Sequence, residues 1–229
     1  MPRGNGQPDG EWTPDRLGDP YELFEDIVKA LSLTMDLVEQ ASHEHAQRVA
    51  AMALNLGRKV DLPDSGLRDL YYAGLLHDIG QIGTPDQILR KKGTLTLREK
   101  AAMYSHTHIG YEIVREIPSL DFAAYLIRWH HERWDGKGYP DGLTKDQSSL
   151  LARILAVADA FDAMSSQRPY RDRLAQEKVI RTIREVSGKQ FDPNVVEVFL
   201  KAVQENKISS VKSQPPAGGQ GKSPGAPPP

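Results

Sequence analysis

Apolar residues recur at intervals of three and four along most of the chain between positions 20 and 208, which is the spacing of one helix face. Runs of alternating β-branched residues, which would indicate strands, are few. The pattern therefore predicts an all-α fold, a single domain of about seven helices. The predicted helical segments are 20–60, with one break allowed, 65–79, 95–116, 119–131, 148–166, 174–187 and 193–206.

Residues that favour helix ends lie between these segments. Asp61-Leu62-Pro63-Asp64 is predicted to end the first segment and to supply a cap for the second. Thr96 is a candidate N-cap for the third, and Pro193 opens the last helix at the position where proline is best tolerated. Residues 1–19 and 209–229 are rich in Gly, Pro and polar residues, so both are predicted to be disordered tails around a folded domain of residues 20–208.

The amino-acid composition and the net charge narrow the class of protein. With 29 Lys+Arg against 31 Asp+Glu, the chain carries no strong field that would favour a nucleic-acid duplex or an acidic membrane. The polar start and the absence of an apolar run of roughly 20 residues predict a cytoplasmic protein without a membrane span. Cysteine is absent, so a metal site would have to use histidine, carboxylate or carbonyl ligands. The oligomeric state stays open.

Helical phase separates inward from outward histidines. On the first segment, His45 shares an apolar stripe with Val38, Ala41, Val49, Met52 and Leu56, whereas His43 points about 200° away. On the third segment, His106 shares a face with Met103, Gly110 and Ile113, and Gly110 would allow another element to approach closely, while His108 points elsewhere.

Further side chains that can bind a metal occur in two adjacent pairs, His77-Asp78 and His130-His131. Asp159 lies within an apolar helical stretch and is predicted to be buried. Taken singly, an inward histidine is more often a hydrogen-bonded core residue than a ligand. Inward histidines from four segments, together with a buried carboxylate, instead favour a site for more than one divalent metal. The sequence therefore predicts a metal-dependent hydrolase.

The ordered set of His45, His77-Asp78 and Asp159 resembles the metal-ligand pattern of the HD superfamily of phosphohydrolases. The tracts HDIGQIGTPDQIL, HHERWDGKGYP and LARILAVADAFDAMSSQRPYR, with His106 between the first two, resemble its HD-GYP branch. The similarity spans residues 43–171 and extends to FDPNVVEVF at 191–199. It implies an all-helical domain that hydrolyses cyclic di-GMP to linear pGpG, or on to GMP.

The resemblance also implies a ligand set in which Asp78 bridges two divalent metals. The first metal would be held by His45, His77, Asp78 and Asp159, and the second by Asp78, His106, His130 and His131. Water shared by two cations loses a proton readily and attacks phosphorus, so a metal-bridging hydroxide would replace a protein nucleophile. The mixed ligands and the resemblance together favour two iron or manganese ions.

Further positions are implied to bind substrate. Arg168 and Arg171 match phosphate-binding positions, and Tyr139 matches a residue that shapes the substrate pocket or docks diguanylate cyclase domains. Trp134 and Tyr170 are additional candidates for stacking on guanine.

Two positions depart from the family pattern. Ala41 stands one turn before His45, where members with a third metal carry glutamate, which predicts two metals rather than three. Gln81, a catalytic and substrate-binding candidate in the tract HDIGQIG, stands where lysine is common in the family. Glutamine keeps a hydrogen-bond donor but loses the positive charge, which predicts slower turnover. Two alternatives therefore stay open: a low-activity cyclic di-GMP sensor or scaffold that docks diguanylate cyclase domains, and a phosphohydrolase of another nucleotide.

Overall fold

The computed structural model describes residues 19–39, 44–166 and 174–205. Within these ranges the chain forms ten α-helices and no β-strand, so the predicted all-α fold is confirmed. The helices are α1 Pro20–Glu39, α2 His45–Lys59, α3 Asp64–Leu76, α4 Asp86–Leu89, α5 Leu97–Tyr104, α6 His106–Val114, α7 Asp121–Trp129, α8 Leu150–Ser165, α9 Gln176–Glu185 and α10 Pro193–Gln204. Three-residue 3₁₀ turns occur at Pro118–Leu120 and Lys145–Gln147, and a longer one follows α3 at Ile79–Gly83.

The described ranges contain ten helices rather than the predicted seven, because two predicted segments are divided and one short helix, α4, was not predicted. The segment 20–60 becomes α1 and α2, which is the single break that the pattern allowed. The segment 95–116 becomes α5 and α6, with Ser105 between them. The four-residue helix α4 is too short to show a periodic pattern.

The predicted helix ends are confirmed except for one cap. Thr96 caps α5 through a reciprocal capping box with Glu99. Pro193 is the first residue of α10, as predicted, and the preceding Asp192 carboxylate accepts a hydrogen bond of 2.8 Å from the backbone amide of Asn194. The tract 61–64 separates α2 from α3, as predicted, but the expected side-chain cap is missing, because Pro63 occupies the cap position of α3 without a side-chain hydrogen bond.

The core is formed mainly by α2, α3, α7 and α8, with α2 packed against both α3 and α8. The inward stripe predicted for α2 is confirmed, because His45, Val49, Met52 and Leu56 are all buried. On α6 the prediction for Ile113 is wrong, because its side chain is 40% exposed. Other residues in the last turn of α6 face the core instead.

A close backbone contact brings two parts of the site together. The 3₁₀ turn after α3 packs against α6 so tightly that a Cβ on Gly80 would lie 1.9 Å from the His106 carbonyl oxygen and 2.5 Å from the Gly110 amide nitrogen. The expectation that Gly110 permits close approach is therefore confirmed, and glycine at position 80 is required by the same contact. This contact fixes Asp78, at the start of the turn, beside His106.

The predicted tails, 1–19 and 209–229, lie outside the described residues except for Asp19. None of the helices in the described ranges combines the length and the apolar character that crossing a bilayer requires.

Candidate metal centre and substrate cavity

Two groups of ligand side chains lie next to each other at the centre of the helical fold. His45, His77 and Asp159 form one group, and His106, His130 and His131 form the other. Within each group the potential ligand atoms all lie within 4.8 Å of one another. Six of the seven predicted metal ligands are thus brought together in two sets of three.

Asp78, the seventh predicted ligand, lies between the two groups. One of its carboxylate oxygens, Oδ2, is 3.0 Å from Nε2 of His77 and 3.9 Å from Nε2 of His45. The other, Oδ1, is 3.5 Å from Nε2 of His106. A carboxylate with one oxygen facing each group is suited to bridge two cations.

Five of the ligands lie at helix ends. His45 and His106 are the first residues of α2 and α6, His77 directly follows α3, and His130 and His131 directly follow α7. Asp159 differs because it lies within α8. The ends of four helices therefore converge on the face of α8 that carries Asp159.

Three of these histidines are held by the same hydrogen bond. Nδ1 of His77, His106 and His130 lies 2.9, 2.7 and 2.6 Å from the carbonyl oxygen three residues earlier in the chain. A carbonyl oxygen can only accept, so Nδ1 must carry the proton in each ring. In the neutral form of each ring the Nε2 lone pair is then directed towards the space shared by the ligands, which is the tautomer that metal binding requires.

His45 is held by a carboxylate instead. Its Nδ1 lies 2.7 Å from Oδ2 of Asp162, and the same carboxylate accepts hydrogen bonds of 2.6 and 2.9 Å from the Arg48 guanidinium. Burial would raise the pKa of Asp162, but His45 and Arg48 together lower it to about 2, so the carboxylate stays ionised. Sequence reasoning missed Asp162, although its place three residues after Asp159 puts both on one side of α8.

The electrostatics of the ligands suit cation binding. Burial opposes a charge on His77, yet the neighbouring carboxylates, Asp78 foremost, raise its pKa to about 10. Burial lowers the pKa of His131 to about 4, and burial together with the adjacent His131 holds the pKa of His130 well below its usual range. His130 and His131 are therefore neutral at pH 7, with a lone pair available to a metal.

The fit to a metal can be judged from the polar atoms that have no partner. Nε2 of His45 is fully buried and makes no hydrogen bond, and Nε2 of His77, also fully buried, faces the Asp78 carboxylate at 3.0 Å. Leaving a buried polar atom unsatisfied is costly, and a cation held by His45, His77 and Asp159 would satisfy Nε2 of His45. The nitrogen and oxygen donors suit iron, manganese or zinc better than magnesium, which prefers oxygen ligands. The described residues thus fit the predicted metals.

Gln81 lies on the 3₁₀ turn after α3, and its side-chain amide donates a hydrogen bond of 2.9 Å to Oδ1 of Asp78. The Gln81 amide thus orients Asp78, a candidate metal ligand.

The loop after His131 is fixed by the buried Glu132. The Glu132 carboxylate accepts hydrogen bonds of 2.6, 3.0 and 2.9 Å from the backbone amides of Asp141, Gly142 and Leu143. Gly138 lies against the backbone of residues 131–133, because a Cβ there would come within 2.6 Å of three of its atoms. The loop is therefore held close to the metal centre, and it places the Tyr139 ring 4.9 Å from the His131 ring.

A cavity of about 410 Å³ opens beside the ligands. The predicted residues His130, His131, Tyr139 and Asp159 line it. Sequence reasoning did not single out several others that do so, namely Tyr104, Arg133, Lys137 and Gln190. Trp134, considered for base stacking, lies instead beneath Arg153, whose guanidinium carbon is 5.4 Å from the ring centre.

Five of the residues named from the sequence lie outside the described residues, so what was predicted for them stays a prediction. Arg168, Tyr170 and Arg171 belong to the range 167–173, and Ala41 and His43 belong to the range 40–43.

Comparisons with known proteins found a family model, several relatives of similar sequence and a similar fold. A model of the HD domain family matches residues 29–195. A cyclic di-GMP phosphodiesterase of Thermotoga maritima is 39% identical over 199 residues, which is 85% of this chain and 54% of the relative. A 3′3′-cGAMP-specific phosphodiesterase of Vibrio cholerae is 33% identical over 185 residues, which is 80% of this chain and 35% of the relative.

A similar fold occurs in the crystal structure of a cyclic GMP-AMP specific phosphodiesterase of Vibrio cholerae. The TM-score is 0.66 at 22% identity, over 80% of this chain and 49% of that one. The chain thus spans about half, or less, of the length of the relatives that it matches.

Proposed function

Because the chain belongs to the HD domain family, and to its HD-GYP branch, we propose that it is a metal-dependent phosphodiesterase that hydrolyses cyclic di-GMP to linear pGpG. The observation that carries this proposal is the pair of three-ligand groups joined by Asp78 at the wall of the cavity. The similarity to cyclic di-GMP phosphodiesterases supports the choice of substrate.

The residues divide between two cations. His45, His77 and Asp159 would hold one, His106, His130 and His131 would hold the other, and Asp78 would contact both. Two iron or manganese ions suit this mixed set of ligands. Divalent ions bound there would lower the pKa of water and neutralise charge on phosphoryl oxygens.

The protein holds the metal ligands in position and supplies no nucleophilic side chain of its own. The Nδ1 hydrogen bonds of the histidines and the bond from Gln81 to Asp78 fix the ligands before substrate arrives. A water oxygen adds to phosphorus as the bond from phosphorus to a ribose 3′ oxygen breaks, and one proton of the water ends on that 3′ oxygen. The product is a linear dinucleotide with a 5′ phosphate, which is pGpG.

The substrate phosphates need positive charge in addition to the metals. Arg133 lines the cavity, but Asp135 holds it through hydrogen bonds of 2.9 and 2.8 Å. Lys137 is exposed at the cavity, so among the described cavity residues it is the cation best placed to meet a phosphate. Arg168 and Arg171, outside the described residues, are proposed to add to this charge.

The test is to purify the protein without oxygen, count its metals by elemental analysis, and follow the products from cyclic di-GMP, 3′3′-cGAMP and cyclic di-AMP by chromatography. We expect two metals per chain and conversion of cyclic di-GMP to pGpG, with GMP appearing only if a second cleavage follows. His131→Ala should abolish the activity, whereas Lys178→Gln, an exposed lysine on α9, should not change it. Metal-loaded protein that cleaves none of the three substrates would overturn the proposal.

A second candidate substrate is 3′3′-cGAMP, because proteins specific for it are among the relatives. Higher kcat/KM for 3′3′-cGAMP than for cyclic di-GMP in the same panel would select it. Binding of cyclic di-GMP without cleavage would instead favour the sensor role, which is motivated by glutamine at position 81.

A further inference from the structure

Two tyrosines form a parallel stack at the cavity. The ring centres of Tyr104 and Tyr139 are 3.8 Å apart, and the ring planes differ by only 12°. Both residues line the cavity. They come from different parts of the fold, since Tyr104 ends α5 and Tyr139 lies in the loop held by Glu132.

The stack has an inner and an outer member. Tyr139 is the inner one, because its ring also packs against His131 at 4.9 Å and lies 6.4 Å from the His106 ring. Tyr104 is the outer one and is 41% exposed. Tyr139 covers one face of Tyr104, so the exposed area belongs to the opposite face and the ring edge. The stack therefore runs from the metal centre outward and ends in an open aromatic face.

An open aromatic face suits a flat, π-rich ligand. Exposed tyrosine rings of nucleotide-binding proteins stack on bases, and each such contact contributes substantially to affinity whatever the base. Trp134, the other aromatic candidate among the described residues, carries a guanidinium over its ring. Phe191 also lines the cavity but is only 4% exposed, so Tyr104 is the described aromatic side chain of this cavity that has an open face.

We infer that Tyr104, supported from behind by Tyr139, is the surface on which one purine base of the cyclic dinucleotide stacks while a phosphate lies at the metal centre. This inference rests on the proposed function for the identity of the ligand. Tyr139 acts as the support that holds the Tyr104 ring parallel and keeps it beside His131. Because stacking does not distinguish guanine from adenine, the contact serves cyclic di-GMP and 3′3′-cGAMP alike, and base selection resides elsewhere in the cavity.

The test compares Tyr104→Leu with Tyr104→Phe. Leucine keeps an apolar cover over Tyr139 but removes the aromatic face, whereas phenylalanine retains the face and removes only the hydroxyl. The affinity of the metal-loaded protein for each cyclic dinucleotide is measured by calorimetry, and KM and kcat are measured alongside. We expect Tyr104→Leu to weaken binding of both ligands by about 5- to 150-fold and to raise KM more than it lowers kcat. Tyr104→Phe should stay within about two-fold of the wild type.

Two controls separate stacking from damage to the fold. Inorganic phosphate, which has no base, probes the metal centre alone, so its inhibition constant should be unchanged in both variants. Tyr21→Ala removes a tyrosine that is also 41% exposed but lies on α1, and it should leave affinity unchanged.

The inference is overturned if Tyr104→Leu binds like the wild type, if Tyr104→Phe is impaired equally, or if phosphate inhibition weakens in parallel. Wild-type protein that binds cyclic dinucleotides without cleaving them would refute the proposed activity and leave the binding comparison intact. Wild-type protein that binds neither ligand would refute both.

Discussion

Replacement of Asp162 by asparagine tests whether the carboxylate behind His45 controls metal binding. In the native protein this side chain is 8% exposed and holds both the His45 ring and the Arg48 guanidinium. Asparagine keeps an acceptor for one of them, but it loses the charge and turns an amide donor towards the other. A His45 ring without its partner can rotate or adopt the other tautomer, and either change moves Nε2 out of its ligand position.

The size of the effect follows from the pKa of Asp162, which its partners lower from the ordinary 3.8 to about 2. This difference corresponds to about 2 kcal/mol of favourable interaction with the ionised carboxylate. Since the folded-state pKa lies below the unfolded one, the stabilisation is complete at pH 7 and is lost as the pH falls from about 4 to 2. Loss of such an outer partner typically lowers metal affinity by about 10- to 100-fold.

Titration of metal-free protein with Mn²⁺ by calorimetry measures the affinity, and urea unfolding at pH 7 measures the stability. Asp162→Asn should lose about 2 kcal/mol of stability and about 10- to 100-fold in affinity at the site that includes His45. The matched control is Asp192→Asn, another buried aspartate beside an arginine, which caps α10 and contacts Arg153. It should lose stability without losing Mn²⁺ affinity. Equal Mn²⁺ affinity in Asp162→Asn and the wild type would refute the role assigned to Asp162.

Three further predictions concern the elements around the ligands. Glu132→Gln should lower the free energy of unfolding by about 1–3 kcal/mol, because the glutamine NH₂ group would face a backbone N–H that donates a hydrogen bond to the carboxylate in the native protein. An unchanged midpoint of urea unfolding would contradict this. Gly80→Ala should lower both the melting temperature and the bound metal, because its Cβ would meet the His106 carbonyl; full metal content by elemental analysis would rule out that contact as a determinant of the site. Metal binding at pH 7.5 should release about one proton, because His77, whose pKa is raised to about 10 by its carboxylate neighbours against the effect of burial, must become neutral to bind. Calorimetry in buffers of different protonation enthalpy measures the release, and identical heats in all buffers would argue against it.

The helical fold could be predicted from the sequence because the long helices keep one continuous apolar face. The stripe of Val49, Met52 and Leu56 on α2 is an example, and its phase also placed His45 correctly. The break between α5 and α6 could not be predicted, because Ser105 carries no signal that stops a helix and neither glycine nor proline stands beside it. Short elements such as α4 fall below the length at which a period can be recognised.

The residues of the candidate site could be predicted where they form an unusual sequence pattern, and they could not be predicted where common residue types are brought together only by the fold. Adjacent pairs such as His77-Asp78 and His130-His131 are conspicuous in any sequence, and in the structure both pairs lie in the candidate metal centre. The contact between His45 and Asp162 joins residues 117 positions apart, so only the fold brings them together. Tyr104 looks like an ordinary tyrosine at a helix end, and its role depends on a ring 35 positions later in a loop of irregular shape.

The location of these pairs at helix ends has a physical reason. The last four carbonyl groups of an α-helix lack partners within the helix. The carbonyls of Gly74 and Ile127 are in the last turns of α3 and α7, and they accept the Nδ1 protons of the histidines that directly follow each helix. One hydrogen bond thus satisfies a helix end and fixes the tautomer that frees Nε2 for a metal. Asp78, the residue after His77, is the first of that pair to leave the helical path, with φ −98° and ψ 5°. Both of its members can therefore turn to the same side, whereas adjacent residues of a continuing helix point about 100° apart.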